Sequence, residues 1–257
     1  MTRILLTQLA VIAIYMTVWY LVARALSRFD VADIAWGPGF IISVLTAAVA
    51  VSERLNPRAY LVMALVIVWG TRLPLHVYLR NRGKPEDARY RSWRQEWGKN
   101  AHIRAFFQIF MLQGLLLLVI SLPITSVIMA GSSAFTLLDA AGLFIWAMGF
   151  LFEAIGDWQL LRFKKDPAHK GRIIKAGLWR FSRHPNYFGE VTLWWGMYLI
   201  ALSSGASWPV IIGPLMITFL ILKVSGIPML EKKYEGNPEF EAYRRQTSAF
   251  FPLPPKS

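Results

Sequence analysis

Gly177-Leu178-Trp179-Arg180-Phe181-Ser182-Arg183-His184-Pro185-Asn186-Tyr187-Phe188-Gly189-Glu190 leaves a basic loop and runs straight into an apolar segment carrying an amide and a carboxylate. Pro185 suits the first turn of a helix, where its missing N–H costs nothing. From that start Asn186 and Glu190 stand four residues apart, on one helical face. A carboxylate taken into a bilayer costs about 2.5–3.5 kcal/mol on insertion scales, so its presence marks a site. The stretch reads as the entrance of a membrane helix that holds part of a polar ligand pocket.

The rest of the composition agrees. Of 257 residues 55% are hydrophobic, with 11 Trp and 16 Phe, and the mean hydropathy is +0.41. A soluble domain of this length is usually about 45–50% apolar. Yet 28 Lys and Arg face 15 Asp and Glu, a net charge of +13. Apolar bulk with concentrated positive charge points to membrane spans joined by basic loops, and away from a nucleic-acid binder. With no cysteine, disulfides, thiolate nucleophiles and Cys-ligated metals are excluded. The first apolar run is too long for a signal-peptide core and reads as a retained span.

Seven runs approach the roughly 20 residues needed to cross a bilayer. They lie near 4–26, 33–51, 59–79, 105–130, 135–161, 187–205 and 208–229. Residues 80–104 hold eight Lys or Arg and residues 162–183 another eight, whereas the turns 131–134 and 203–207 hold none. Basic loops stay on the cytoplasmic side. The expectation is therefore an all-α integral membrane protein of seven transmembrane helices, N-terminus outside and C-terminus cytoplasmic. Residues 1–257 are read as a single membrane domain, about 1–104 on the substrate side and about 105–257 forming a cofactor-binding half. Pro74, Pro123, Pro209, Pro214 and Pro228 fall in or beside apolar runs and are expected to shape helix packing.

Five acidic or amide residues lie in or at the edge of spans: Asp33, Glu153, Asp157, Asn186 and Glu190. Glu153 and Asp157 share a face near one end of the fifth span, and Asn186 and Glu190 begin the sixth at the same level. Two polar pairs at one depth on consecutive helices read as the lining of one cavity. The basic loops above could hold phosphates through arginine forks, although basic inside loops are also ordinary topology. Neither a Rossmann fingerprint nor a P-loop occurs. His76, His102, His169 and His184 show no metal-ligand spacing, and His184 reads as a hydrogen-bonder at the helix entry.

The stretch from Glu153 through Asp157 to Glu190, with the tail Glu231, Tyr243-Arg244, Thr247 and Phe250-Phe251-Pro252, resembles the steroid 5-alpha-reductase family, and within it a bacterial branch of seven-span proteins. The resemblance is strongest over 150–252 and weaker from Asp33-Ile34-Ala35-Trp36-Gly37 to Arg91. It implies a multi-pass protein of the bacterial inner membrane with NADPH entering from the cytoplasm. It also implies hydride transfer to a C=C bond conjugated to a ketone in a lipophilic substrate. Asn186 and Glu190 match positions that hold the nicotinamide end, Asp157 an acidic cofactor contact, and Glu153 a polar neighbour. Lys164 matches a basic residue near the phosphates, and Arg82 the basic turn of the other loop. Arg183 and Tyr187 belong to the helix-entry motif, Tyr243 and Arg244 to the tail signature. On the substrate side the family's tyrosine falls near Trp69 or Gly70 here. Asp33 (if kept protonated by desolvation), Arg72 and Tyr78 are then the candidates for the donor to the ketone oxygen.

Arg183-His184-Pro185-x-Tyr187-x-Gly189 also occurs in membrane methyltransferases that use S-adenosylmethionine, of the isoprenylcysteine and phospholipid types. The Asn186 and Glu190 pair separates the two classes, since those methyltransferases have no consistent need for it. A non-catalytic lipid-binding protein is a third class, which binds no nucleotide.

Overall fold

A computed structural model describes residues 1–131 and 134–256. Among them the chain is helical, and its only strand-like pairing is an isolated bridge between Ser182 and Ser248. Six helical segments are long and apolar enough to cross a bilayer: Thr2–Leu26, Phe29–Ala50, Pro57–Asn81, Ala88–Ile120, Leu137–Lys165 and Trp208–Lys232. The chain is a multi-pass membrane protein. The run expected near 187–205 is also a helix, Pro185–Ser203, but it is not one of the six. It carries Asn186 and Glu190, and more than half of its residues are buried against protein. Of the turn expected at 131–134, residues 132 and 133 lie outside the described residues.

The chain packs as two compact units, Met1–Phe135 with Ser204–Ile212, and Thr136–Ser203 with Gly213–Ser257. The fourth spanning segment lies in the first of these units, where it packs against the first two.

In the first unit α1 (Thr2–Leu26), α2 (Ala32–Ala50) and α3 (Pro57–Asn81) are followed by α4 (Ala88–Trp97). Then α5 (Ala101–Ala105), a π-helical turn over Phe106–Met111 and α6 (Leu112–Ile120) run on as one rod. Pro123 has no N–H to continue that rod, which breaks at Ser121 and resumes as α7 (Leu122–Met129). Asn56 caps α3 by accepting from Ala59 N, with Pro57 at the first helical position. Lipid gives helices no hydrophobic reason to associate, so small residues and buried polar groups hold them. Gly37 and Gly70 bring α2 and α3 together: a Cβ on Gly37 would lie 2.6 Å from the Gly70 carbonyl oxygen and 3.0 Å from Pro74 Cδ. Gln8 Nε2 donates to the Ser43 carbonyl at 2.9 Å, and contacts Ser43 Oγ and Thr125 Oγ1 at 3.0 and 3.1 Å. That knot ties α1, α2 and α7.

The second unit is built on α8 (Leu137–Lys165) and α9 (Pro185–Ser203). Thr136 and Asp139 form a capping box at the start of α8. Gly142, Gly149 and Gly156 recur every seven residues along α8, and Gly189 and Gly196 answer them on α9. The backbones touch there. A Cβ on Gly149 would meet Leu193 N at 2.5 Å and the Gly189 carbonyl oxygen at 2.6 Å; one on Gly196 would meet the Gly142 carbonyl oxygen and Trp146 N, each at 2.6 Å. The chain continues through α10 (Ile212–Phe219), a π-helical turn over Leu220–Val224, α11 (Ile227–Lys232) and α12 (Pro238–Gln246). Trp195 Nε1 donates to Thr218 Oγ1 at 3.2 Å, linking α9 to α10.

A side chain at Gly189 collides with Glu153 N and the Gly149 carbonyl, and overpacking of this kind costs about 1–3 kcal/mol. Gly189→Leu is expected to lower the thermal midpoint in detergent or abolish the folded peak. Gly131→Ala, where a Cβ meets nothing within 4 Å, is expected to leave the midpoint unchanged.

Candidate functional site

The loop entering α9 is pinned to α8 before the helix begins. Leu178 N donates to Gln159 Oε1 at 3.0 Å and Trp179 Nε1 to the Gly156 carbonyl at 3.1 Å. Ser182 Oγ accepts from His184 N at 3.1 Å and donates to the Phe250 carbonyl at 2.9 Å. Pro185 then starts the helix as its chemistry requires. One residue on, Asn186 Nδ2 donates to Asp157 Oδ1 at 3.0 Å. A carboxylate only accepts, so Asp157 fixes which way the amide faces. The other end of that amide, Asn186 Oδ1, is buried and has no hydrogen-bond partner among the described residues. Leaving a buried acceptor unpaired costs about 1–3 kcal/mol, so such an atom is a place for an N–H or O–H donor. Glu190 lies one turn further along α9. Glu153, buried one turn before Asp157, has its backbone N against Gly189. The expected proximity of the two polar pairs therefore exists in the folded unit, through Asp157 and Asn186.

Arg183 does something else. Its Nε and Nη2 donate to the two oxygens of Glu231 at 2.8 and 3.1 Å, and its Nη1 reaches the carbonyls of Arg244, at 3.3 Å, and Thr247. Its side chain is 7% exposed and that of Glu231 17%. The fork expected to face a cofactor is thus spent on the C-terminal tail. His184 Nε2 sits 3.0 Å from Glu231 Oε1, and its ring stacks on Tyr187 with centroids 5.6 Å apart. Tyr243 donates its hydroxyl to the carbonyls of Trp179 and, at 3.4 Å, Ser182. Burial raises its pKa above the ordinary phenol value, against the opposing pull of Arg183, and it stays a donor. Arg183 N donates to the Ser248 carbonyl at 2.8 Å and Leu253 N to that of Phe181 at 3.0 Å. Arg244 offers its carbonyl to Arg183, while its side chain is exposed beside Glu241. Lys164 is exposed in the last turn of α8.

Asp33, Arg72, Tyr78 and Arg82 belong to the first unit, the other nine candidates to the second. Asp33 accepts from Arg89 Nη2 at 3.0 Å and from the Tyr90 hydroxyl, with Arg80 Nη2 3.9 Å away. Both of its oxygens are thus held as acceptors by side chains of α4. Arg89 also contacts Asp87. Burial opposes the Asp87 carboxylate, but the charge and hydrogen bonds of Arg89, helped by Arg80, hold its pKa below the usual value. Tyr78 is half exposed on α3 and Arg82 exposed beyond its end. Tyr90 escaped the sequence reading because it sits in a loop-like basic stretch. Glu231 stood within the tail motif, but no local signal links it to a partner 48 residues upstream.

A family model for proteins of unknown function, DUF1295, matches residues 19–247. The chain belongs to the DUF1295 family. This DUF1295 protein is 30% identical over 226 residues to an uncharacterized protein of Schizosaccharomyces pombe, covering 76% of the present chain and 64% of that one. It is 38% identical over 66 residues to a probable O-methyltransferase of Ustilaginoidea virens, covering 26% of the present chain and 22% of that enzyme. The chain thus spans less than two thirds of the length of these curated relatives. No solved structure matches it.

Removing one member of a largely buried charge pair leaves the other uncompensated, at a cost of about 3–5 kcal/mol when burial is complete. Glu231→Ala is therefore expected to free the tail, and limited trypsin digestion should cut after Arg244 and Arg245 about tenfold faster than in the parent protein. Arg183→Lys, which keeps charge but loses the fork, should do the same to a lesser degree.

Proposed function

We propose that this DUF1295 protein is a membrane-embedded, NADPH-dependent reductase acting on a C=C bond conjugated to a ketone in a lipophilic, steroid-like or other isoprenoid, substrate. The observation that carries the reading is the buried, unpartnered Asn186 Oδ1, aimed by the bond from Asn186 Nδ2 to Asp157. A carboxamide NH2 is the donor that such an oxygen accepts, and the nicotinamide of NADPH carries one. Glu190, one turn along the same face, offers a carboxylate to the same group. Glu153 and Asp157 keep the facing wall polar. The exposed Arg162 and Lys165 of the last turn of α8, with Lys170 and Arg172 of the loop after it, suit phosphates by charge and by guanidinium geometry. Arg183 and Tyr243 act at one remove, by holding the loop that delivers Asn186. When bound, NADPH supplies the hydride that goes to the β-carbon, with a proton completing the α-carbon. The reading takes Pro185–Ser203 as a seventh crossing and puts the basic loops on the cytoplasmic face of a bacterial inner membrane.

A methyltransferase using S-adenosylmethionine is the second reading, favoured by the 38% identity to a probable O-methyltransferase. Amine donors of that cofactor would also satisfy Asn186 Oδ1, so the cofactor decides between the two. Purified protein incubated separately with NADPH and labelled S-adenosylmethionine is expected to retain NADPH. Asn186→Leu, which removes the acceptor but keeps volume, should weaken NADPH binding by about tenfold or more, in proportion to a lost buried hydrogen bond. Retention of S-adenosylmethionine alone, or unchanged NADPH affinity in Asn186→Leu, overturns the reductase reading.

A further inference from the structure

At the polar end of the fourth spanning segment a groove of about 510 Å³ lies between α4 and the rod that follows it, lined by Trp93, Glu96, Trp97, Gln108, Ile109 and Leu112. Trp93, Glu96 and Trp97 are spaced three and four apart and so share one face of α4. The two indoles stack, with centroids 6.0 Å apart and planes 12° from parallel, and Tyr90 meets Trp93 edge-on at 5.3 Å.

The charges of α4 are divided between two sides. Arg94 binds Glu86 and the Ser27 carbonyl and covers the ring of Phe29 at 3.9 Å. Arg89 binds Asp33 and Asp87, and Arg91 donates to the Glu86 carbonyl at 2.8 Å. All three arginines are thus engaged with the stretch 27–33 and with the start of their own loop. The groove's one charged side chain is Glu96, which has no ion pair among the described residues. A carboxylate beside two indole faces is a recognition element for an ammonium group, which the negative ring faces attract.

Below that carboxylate the groove changes character. Gln108 and Ile109 lie in the π-helical turn Phe106–Met111, the kind of local widening that recurs at functional sites. Leu112 and Leu115 continue along the rod, and with Phe107 they are exposed over about half or more of their surface, a lipid-facing strip. Lys99, in the turn that follows α4, is exposed.

We infer that this groove binds a zwitterionic phospholipid with an ammonium headgroup, the ammonium at Glu96 beside the stacked Trp93 and Trp97 and an acyl chain along Ile109, Leu112 and Leu115. Lys99 offers its charge to the phosphate. The site is independent of the nucleotide reading, since it lies wholly within the first unit.

Delipidated full-length protein in detergent, offered equimolar phosphatidylethanolamine and phosphatidylglycerol, is the test, with retained lipid measured by native mass spectrometry. Phosphatidylethanolamine is expected to be retained in preference, and Glu96→Gln to reduce that preference by about fivefold, the scale of an ammonium held by charge and aromatic faces. Glu96→Lys should turn the preference towards phosphatidylglycerol. Neither variant removes an internal partner, so the thermal midpoint should not move. Equal retention of the two lipids by the parent protein, or a preference that survives both substitutions, overturns the inference.

Discussion

The closest constraint in the second unit is the direct approach of two backbones. Where Gly142 and Gly149 of α8 meet Gly189 and Gly196 of α9, no Cβ fits, and one on Gly156 would press on Asn186 N at 3.1 Å. In a bilayer this matters more than in water, because lipid removes the hydrophobic drive between helices and leaves packing and polar contacts to hold them. The seven-residue repeat keeps the two helices in contact along their length and sets their register. That register brings Asp157 within hydrogen-bond distance of Asn186. A shift of a single residue would rotate one carboxylate or amide by about 100° and separate them.

A second device sits above the first. The loop 177–184 is held from below by bonds to Gln159 and Gly156 of α8, and from above by the tail through Ser182, Arg183 and Tyr243. Arg183 joins the two by giving its fork to Glu231 and its remaining donors to tail carbonyls. The head of α9 is therefore fixed on both sides, which is what a buried acceptor needs if it is to meet a ligand at one orientation without reorganising. The first unit handles its polar end similarly. Its stretch 82–97 is tied to the turn before α2 and to the start of that helix: Phe29 N donates to Glu86, Asp87 N to Asp30, Arg94 to the Ser27 carbonyl and Arg89 to Asp33. Because those arginines face inward, the opposite face of α4 is left to tryptophan and a lone carboxylate.

Much of the fold was legible from hydropathy and turn chemistry, which are local. Six of the seven apolar runs correspond to helices able to cross a bilayer, and Pro185, Asn56 and Thr136 mark helix starts as capping rules require. The run near 187–205 forms the helix Pro185–Ser203, which is not among those six and has more than half of its residues buried. The two spacings of four at one depth put Glu153, Asp157, Asn186 and Glu190 around one place, and the structure adds the bond between Asp157 and Asn186. What spacing alone missed was the use of each polar group. Arg183 read as a ligand for a cofactor because a guanidinium advertises nothing about its partner. Tyr90 read as part of a basic loop.

The sequence by itself determined that this chain is helical, lives in a membrane, and carries carboxylates and an amide where lipid would not tolerate them without purpose. Those properties depend on single residues and their neighbours within one or two turns. Only the tertiary structure decided that Glu231 belongs to Arg183 and His184, that Tyr90 belongs to Asp33, and that Asn186 keeps one oxygen unspent. Such pairings cross 47 to 57 residues of chain. They depend on helix register, which side chains far apart in sequence fix together.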